Sequence, residues 1–491
     1  MTTECSRQDD PQLTFWKIGK QQVTVDFNGG RIVSDAGLLP IREFEQKLGI
    51  IKGLTERFPD PRNPLLVVHT AEKILAQNVY QFLAGYFDSN DAQALRDDPL
   101  FQTLVGTSPD QEDGELASGS TLSRFQYSYT RRQCRRAPEE RPAFFEQRQS
   151  QLDRVQVLNE YFVDLFIGTR RQRPAHVIID LDATDDPTHG QQVLSFYHGY
   201  YRQKQYFPLL VFDGETGFPL AAWLRPGTVH ASCGAVDTLD EIIQQLRQAW
   251  PDVAIFIRGD AGFGVPEMYD FCEREGLFYT FGYSTNARLK HHTEELLAET
   301  VCEFQTSEEP LQRFLSIDDY QAGSWSRSRR ILAKVEVNSS GTNRRFVVTN
   351  MSGDAQGLYH GFYVKRGNVP EKPIGELKNG LGADRLSSHG FTANAMRFGL
   401  HVLAYATFVL FREATSDIPE VATAEVATVR VKLFKVGAVV RTSVRRIWFH
   451  LSETWPHRDL FLRVSAALNE FAQAVRQARA AVPNSASAQP F

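Results

Sequence analysis

The sequence predicts an α/β protein organised around one mixed β-sheet, with a mostly helical module ahead of it and a helical region behind it. Apolar runs of strand length, rich in β-branched and aromatic residues, recur between residues 176 and 284. Amphipathic helical stripes separate some of these runs, and period-3.6 patterns dominate both flanks. At 491 residues the chain exceeds what a single hydrophobic core normally fills, so appended or inserted modules are expected.

Composition narrows the classes. Hydrophobic residues at 42% and charged residues at 23% match an ordinary globular protein and exclude a collagen-like, disordered or disulfide-stapled chain. The five cysteines (Cys5, Cys134, Cys233, Cys272, Cys302) lie far apart with no C-x-x-C pair, which argues against a zinc site and for a reducing, cytoplasmic setting. The N-terminal MTTECSRQDD lacks the layout of a secretion signal. The most apolar stretch, Met396 to Phe411, is about a turn short of a bilayer span and carries Arg397 and His401, so a core helix is expected and no membrane partner. The net charge of -5 leaves nucleic acid open as a partner, because local clustering of Lys and Arg decides that affinity.

Taken in order, residues 15 to 27 read as a strand followed by a turn at Asn28-Gly29-Gly30, and Ile41–Leu48 and Thr70–Phe87 read as helices. Helical segments continue to about Arg170. HVIIDLDAT (176–184) alternates as a strand, and YFPLLVFD, GETG and FPLAAWLRPG make a hairpin. Thr238 to Trp250 is an amphipathic helix with Thr238 and Glu241 spaced as a capping box. VAIFIRGD (253–260) is a strand, VPEMYDFCEREG a helix and LFYTFGYS (277–284) a strand. The order β-β-β-α-β-α-β, with right-handed crossovers, lets the first and fourth strands lie side by side and is the ribonuclease H-like layout. Residues 285–355 break the alternation as a β-rich insertion, and helical patterning resumes after 356.

Acids on this layout carry the chemistry. Asp180 and Asp182 are two apart in the first strand and share a face. Asp260 ends the fourth strand beside Asp182, in RGDAGFG. Acids in an apolar strand are costly unless a cation meets them, although a hydrogen-bonded acid at a strand end is the plainer explanation of each one alone. Phosphoryl transfer at a DNA backbone is served by two divalent ions about 3.5–4 Å apart, which hard carboxylate oxygens can hold. In YVKRGNVPEKPIGELKNGL (363–381) a helix is expected from near Pro370, putting Glu371 and Lys378 on one face. Read alone, that pair is an ordinary surface ion pair.

Tyr363, Arg366, Glu371 and Lys378 together resemble the Y-R-E-K signature of transposases related to bacterial cut-and-paste insertion sequences. IIDLDATDDPTHG, FYHGYY, RGDAGF and VDFNGGRIVSDAGLL resemble the IS-thirteen-eighty family in particular, over roughly residues 20 to 465. The resemblance implies a DDE enzyme with Asp182, Asp260 and Glu371 as catalytic residues and ligands of two Mg²⁺ (or Mn²⁺) ions. It implies Tyr363, Arg366 and Lys378 as grips on the transposon-end phosphates. It further implies recognition of terminal inverted repeats in double-stranded DNA, strand transfer to target DNA, and a homodimeric synaptic complex. Asp180, Asp185 and Asp186 crowd Asp182, which stands in the D-A-T position that the family uses. One departure is plain: four residues separate Arg366 from Glu371 where the wider signature has three, and an extra residue shifts helical phase.

Two basic regions are candidates for DNA binding, with solvated surface as the alternative for each. One comprises Arg124 and RRQCRR, including Arg131 and Arg132; the other runs from Arg430 to Arg446 and includes Arg441, Arg445 and Arg446. The chain then divides into a mostly helical N-terminal DNA-binding module (1–170), the first part of the catalytic core (171–284), the β-rich insertion (285–355), the second part of the core with the Glu371 helix (356–415) and a basic helical C-terminal region (416–491). The rival functions are a ribonuclease H-like nuclease without strand transfer, a catalytically inactive DNA-binding regulator, and, third, a hydrolase of other substrates that would leave the basic segments idle.

Overall fold

A computed structural model describes residues 12–58, 60, 62–111, 114–127, 141–307, 309–368 and 371–481. Strands β1 (Leu13–Ile18) and β2 (Gln21–Val25) form a hairpin. Its turn falls at Gly19, held at φ 62 where a side chain is disfavoured, so the expected single strand ending at Asn28-Gly29-Gly30 is two strands. After the short strand β3 (Ile32–Val33) the described residues as far as Thr169 are helices and the loops between them, as the periodicity predicts.

These helices do not stand apart from the rest. Helices Ala71–Ala84 and Arg141–Thr169 both pack on Phe391–Ala414, in which every residue from Ala393 to Phe411 is buried. That helix is apolar on all sides because neighbours cover all sides. It has the length and composition of a membrane span, yet it is the enclosed axis of the fold. At its centre the rings of His401 and Phe82 stack with centroids 3.7 Å apart.

The sheet follows from β4 (His176–Ala183), a short β5 (Asp186–Pro187), β6 (Phe196–His198), β7 (Gln203–Tyr206), β8 (Leu209–Asp213), β9 (Pro219–Trp223), β10 (Ala254–Gly259) and β11 (Phe278–Tyr283). β12 (Leu311–Tyr320), β13 (Arg329–Asn338) and β14 (Gly341–Thr349) complete it. Eight of these strands make one mixed sheet in the order β12-β13-β14-β11-β10-β4-β8-β9. β4, β10 and β11 are parallel, and β4 meets the hairpin β8–β9 antiparallel. The first and fourth strands of the β-β-β-α-β-α-β series are therefore neighbours, as that order requires. The crossover helix Ala235–Ala249 begins after Gly234 at φ 72, three residues before the expected cap; Thr238 lies inside it and donates to the Gly234 carbonyl at 2.8 Å.

Two other expectations need correction. Residues 285–355 open with helices Ala287–His292 and Glu294–Ser307 before turning to β-structure, and β14 then pairs with β11, so the insertion widens the main sheet. The region 416–491 is not wholly helical: β15 (Ala438–Ser443) and β16 (Arg446–Leu451) form a hairpin that pairs with β3, and only Arg458–Ala481 is a long helix. Ala438, Val440, Phe449 and Leu451 alternate toward the core with period two, a pattern that the intervening basic residues hide.

Candidate active site

The parallel register of β4 and β10 sets the site. Ala254 lies opposite His176 and Arg258 opposite Asp180, and Asp260, one residue past the end of β10, comes close enough to Asp182 to raise its carboxyl further. Asp180 is not free at this edge. Its two oxygens accept from Nε and Nη2 of Arg258 at 2.6 and 2.7 Å, and both side chains are buried. Arg258 also donates to the carbonyl oxygens of Gly214 at 3.3 Å and Phe362 at 3.0 Å. It thus ties β4, β10, the β8–β9 turn and the segment entering Tyr363 into one unit. Burial holds the Asp180 carboxyl above its ordinary range while Arg258 opposes that rise.

Beyond Gly259 the chain turns sharply, and Asp260 Oδ1 accepts from the Gly262 amide at 2.8 Å. A Cβ at Gly264 would lie 2.3 Å from the Gly282 carbonyl oxygen, so the glycines of RGDAGFG serve close packing behind the acid. Asp182 has a side chain 16% exposed, and Arg366 approaches it at 3.7 Å. Burial pushes the Asp182 carboxyl up to about 6; Arg366 opposes the rise, and Asp260 and Glu371 add to it. Tyr363 stands against Gly282, its hydroxyl 2.8 Å from where a Cβ would sit. Burial raises that hydroxyl above its usual range, with Arg366 opposing and Asp260 reinforcing.

Glu371 opens the short helix Glu371–Gly375 and is exposed, and the chain then widens into a π-helical turn, Glu376–Gly380. The described residues of 363–381 do not form one regular helix: a 3-10 stretch (Val364–Asn368), a short α-helix and a π-helical turn follow one another. Lys378 pairs with an acid other than Glu371. It binds Asp185 at 2.9 Å, and Gln203 holds the other Asp185 oxygen at 2.9 Å. Burial of Asp185 is outweighed by these contacts, which keep its carboxyl below the usual range. Glu376, the other acid of this segment, is buried and occupied by Arg412 at 3.0 Å and Tyr405 at 3.1 Å. Asp186 is buried with neither oxygen hydrogen-bonded among the described residues, and burial, with Asp384, pushes it far up.

The structure therefore gathers Asp182, Asp260, Tyr363, Arg366 and Glu371, and holds Lys378 one carboxylate away. Among the described residues no three acidic, imidazole or thiol groups are close enough to hold a metal ion as they stand. Asp182 and Asp260 offer adjacent hard oxygens, and Glu371 acts on Asp182 more weakly than Asp260 does. Arg124 is exposed on the helix Gly119–Tyr127, Arg131 and Arg132 lie outside the described residues, and Arg441, Arg445 and Arg446 sit on the β15–β16 hairpin. One participant escaped the sequence reading: Arg258, whose signal was an arginine inside an apolar strand on the same row as an acid. Tyr201, the last residue of FYHGYY and on the turn between β6 and β7, is held above its usual range by burial, with Asp185, Tyr200, Asp182 and Asp260 adding to the rise.

A test of this electrostatic picture follows from its sign. The folded-state pKa of Asp182, about 6, lies above the unfolded value, so the native state binds that proton more tightly and loses stability as pH rises from about 4 through 6. Asp182→Asn is expected to stabilise the fold at pH 7 by up to about 3 kcal/mol, with the gain vanishing near pH 4. Urea unfolding across that range reads it; a gain independent of pH, or none at pH 7, would refute the assignment.

Comparison with known proteins sets this site in context. Residues 15–473 match the family described as "Transposase DDE domain group 1". Among solved structures, the cryo-EM structure of a piggyBac transposase synaptic complex with hairpin DNA aligns with 94% of this chain and 87% of that one, at 13% identity and a TM-score of 0.42. No curated protein matches the chain.

Proposed function

The chain belongs to the transposase DDE domain group 1 family, and from that premise we propose that it cuts and rejoins the DNA of its own insertion sequence at the terminal inverted repeats. Membership makes it a transposase, an enzyme that acts on DNA. The finer reading is a bacterial, cytoplasmic transposase of the IS-thirteen-eighty type with a ribonuclease H-like core, acting as a homodimer on repeat and target DNA. In its division of labour, residues 1–170 bind DNA, 171–284 and 356–415 form the core around the insertion 285–355, and 416–491 supplies a basic C-terminal region.

The observation that supports the reading is Asp182 on β4 and Asp260 just past the end of the neighbouring parallel strand β10, with Arg366 and Glu371 close by. Asp182, Asp260 and Glu371 would hold two Mg²⁺ or Mn²⁺ ions, with Glu371 moving inward from its exposed position. When bound, such ions would activate a water or a 3′ hydroxyl as the nucleophile and stabilise the departing 3′ oxygen. The chain's own residues then position the substrate. Arg366, at 3.7 Å from Asp182, is only loosely paired and can turn to a phosphate. Tyr363 offers a hydroxyl beside it, and Lys378 can exchange Asp185 for a phosphate oxygen. Arg124, Arg131, Arg132, Arg441, Arg445 and Arg446 would hold more of the duplex.

Strand joining separates this reading from its rivals. A cleaved terminal-repeat duplex incubated with the protein, Mg²⁺ and a supercoiled plasmid is expected to yield covalently joined product. Cleavage of the intact repeat without joining would mark a nuclease, and repeat binding without either step would mark a regulator.

A further inference from the structure

The basic run from Arg430 to Arg446 splits into two kinds of residue. Arg430 turns inward to the carbonyl oxygens of Leu83 at 2.8 Å and Gly380 at 2.6 Å, and Lys435 pairs with Asp35 at 2.6 Å, so both are fastenings of the fold. The β15–β16 hairpin is different. Ala438, Val440, Phe449 and Leu451 on the base half of its inner face pack on the core, its base pairs with β3, and Thr442 near the tip contacts Asp110. On the outer face Arg441 stands opposite Trp448 and Ser443 opposite Arg446. The Arg446 guanidinium lies 5.4 Å from the Trp448 ring centre, and the His450 ring stacks with that indole at 5.9 Å and 5°. Trp448 is nonetheless 47% exposed, and Val444 at the tip is wholly so.

Charge gives this face its direction. No acidic residue occurs between Arg430 and Ser452, although acids outnumber bases in the whole chain, 59 to 54. Several arginines of the interior, among them Arg258, Arg329 and Arg412, meet carboxylates, and others such as Arg225 and Arg430 meet backbone carbonyls. Arg441, Arg445 and Arg446 form no ion pair among the described residues, and mixed surfaces ordinarily intersperse both signs. We propose that the hairpin is a β-ribbon that enters a groove of duplex DNA, with Arg441, Arg445 and Arg446 on phosphates and the Trp448–His450 stack against the groove. A two-stranded ribbon fits the roughly 12 Å width of the major groove. Six residues per strand span about 20 Å, about six base-pair steps. This rests on the transposase reading and adds to it the shape by which the C-terminal basic region grips the duplex.

The test measures binding to a duplex carrying the element's terminal repeat, and to an unrelated duplex, over a range of salt. The Arg441→Ala/Arg445→Ala/Arg446→Ala variant is expected to bind on the order of a hundredfold more weakly near physiological salt, with the log–log salt slope reduced by about 2 to 3. Trp448→Ala is expected to weaken binding with the slope unchanged. Val444→Cys carrying a photoactivated cross-linker is expected to label the duplex, and its exposure makes a folding defect irrelevant to that readout. Unchanged affinity and slope in the triple variant, or no cross-link from position 444 while the wild type binds, would overturn the ribbon alone. A wild type that binds neither duplex would overturn the transposase reading with it.

Discussion

Asp182→Asn, Asp260→Asn and Glu371→Gln are each expected to lower strand cleavage by about three orders of magnitude or more, with duplex binding retained. Each change keeps side-chain size and removes one charged oxygen donor, so the loss falls on the chemical step and appears in kcat at saturating DNA. The effects are also expected to be non-additive, because the three acids act as a unit: a double variant should be little worse than a single one. Single-turnover cleavage with Mg²⁺ reads this directly. Asp182→Asn retaining more than about a tenth of wild-type cleavage would move the first ligand to Asp185, whose present partner is Lys378. Asp180 is not an equivalent choice, since both of its oxygens are engaged by Arg258.

Arg258→Ala is expected to destabilise the protein by about 3–5 kcal/mol, because it strands the Asp180 carboxylate in a buried position. The loss also releases the Phe362 carbonyl, and with it the segment that presents Tyr363 and Arg366. Cleavage should therefore fall even at temperatures where the variant remains folded. Replacing the pair together, Asp180→Leu with Arg258→Met, is expected to recover most of the stability, since similar volume without charge removes the unpaired acid. Urea unfolding of the three proteins checks the pattern. A shift of less than about 1 kcal/mol for Arg258→Ala would show that Asp180 finds another partner or takes up a proton at little cost.

Much of the fold was legible because period-two and period-3.6 patterns are written locally. The strands from HVIIDLDAT to LFYTFGYS, the GETG hairpin and the adjacency of the first and fourth strands all follow from pattern and topology rules. What was not legible depends on partners distant in sequence. The β15–β16 alternation gains its meaning only from β3, some four hundred residues earlier, and a basic run conceals it. The widening of the main sheet by β14 depends on β11, across an insertion whose length says nothing about where it returns. Around the site, the acids were visible as residues, yet their inequality was not. Asp180, Asp182, Asp185 and Asp186 look alike in the sequence. Arg258 engages the first and Lys378 the third, the fourth is buried without a hydrogen-bond partner among the described residues, and the second faces Asp260 with only a loose cation beside it. The π-helical turns Tyr359–Tyr363 and Glu376–Gly380 were likewise out of reach, because such turns have no strong local signature.

An end-labelled duplex spanning the element's terminal repeat and its flanking DNA, incubated with wild-type protein and Mg²⁺ or Mn²⁺ and mapped at nucleotide resolution, addresses the reading most directly. Cleavage confined to the repeat boundary, abolished by EDTA and by Asp260→Asn while the duplex stays bound, is what an Asp182–Asp260–Glu371 transposase produces. Cleavage that persists in EDTA, or a bound duplex left intact with either metal, would contradict it.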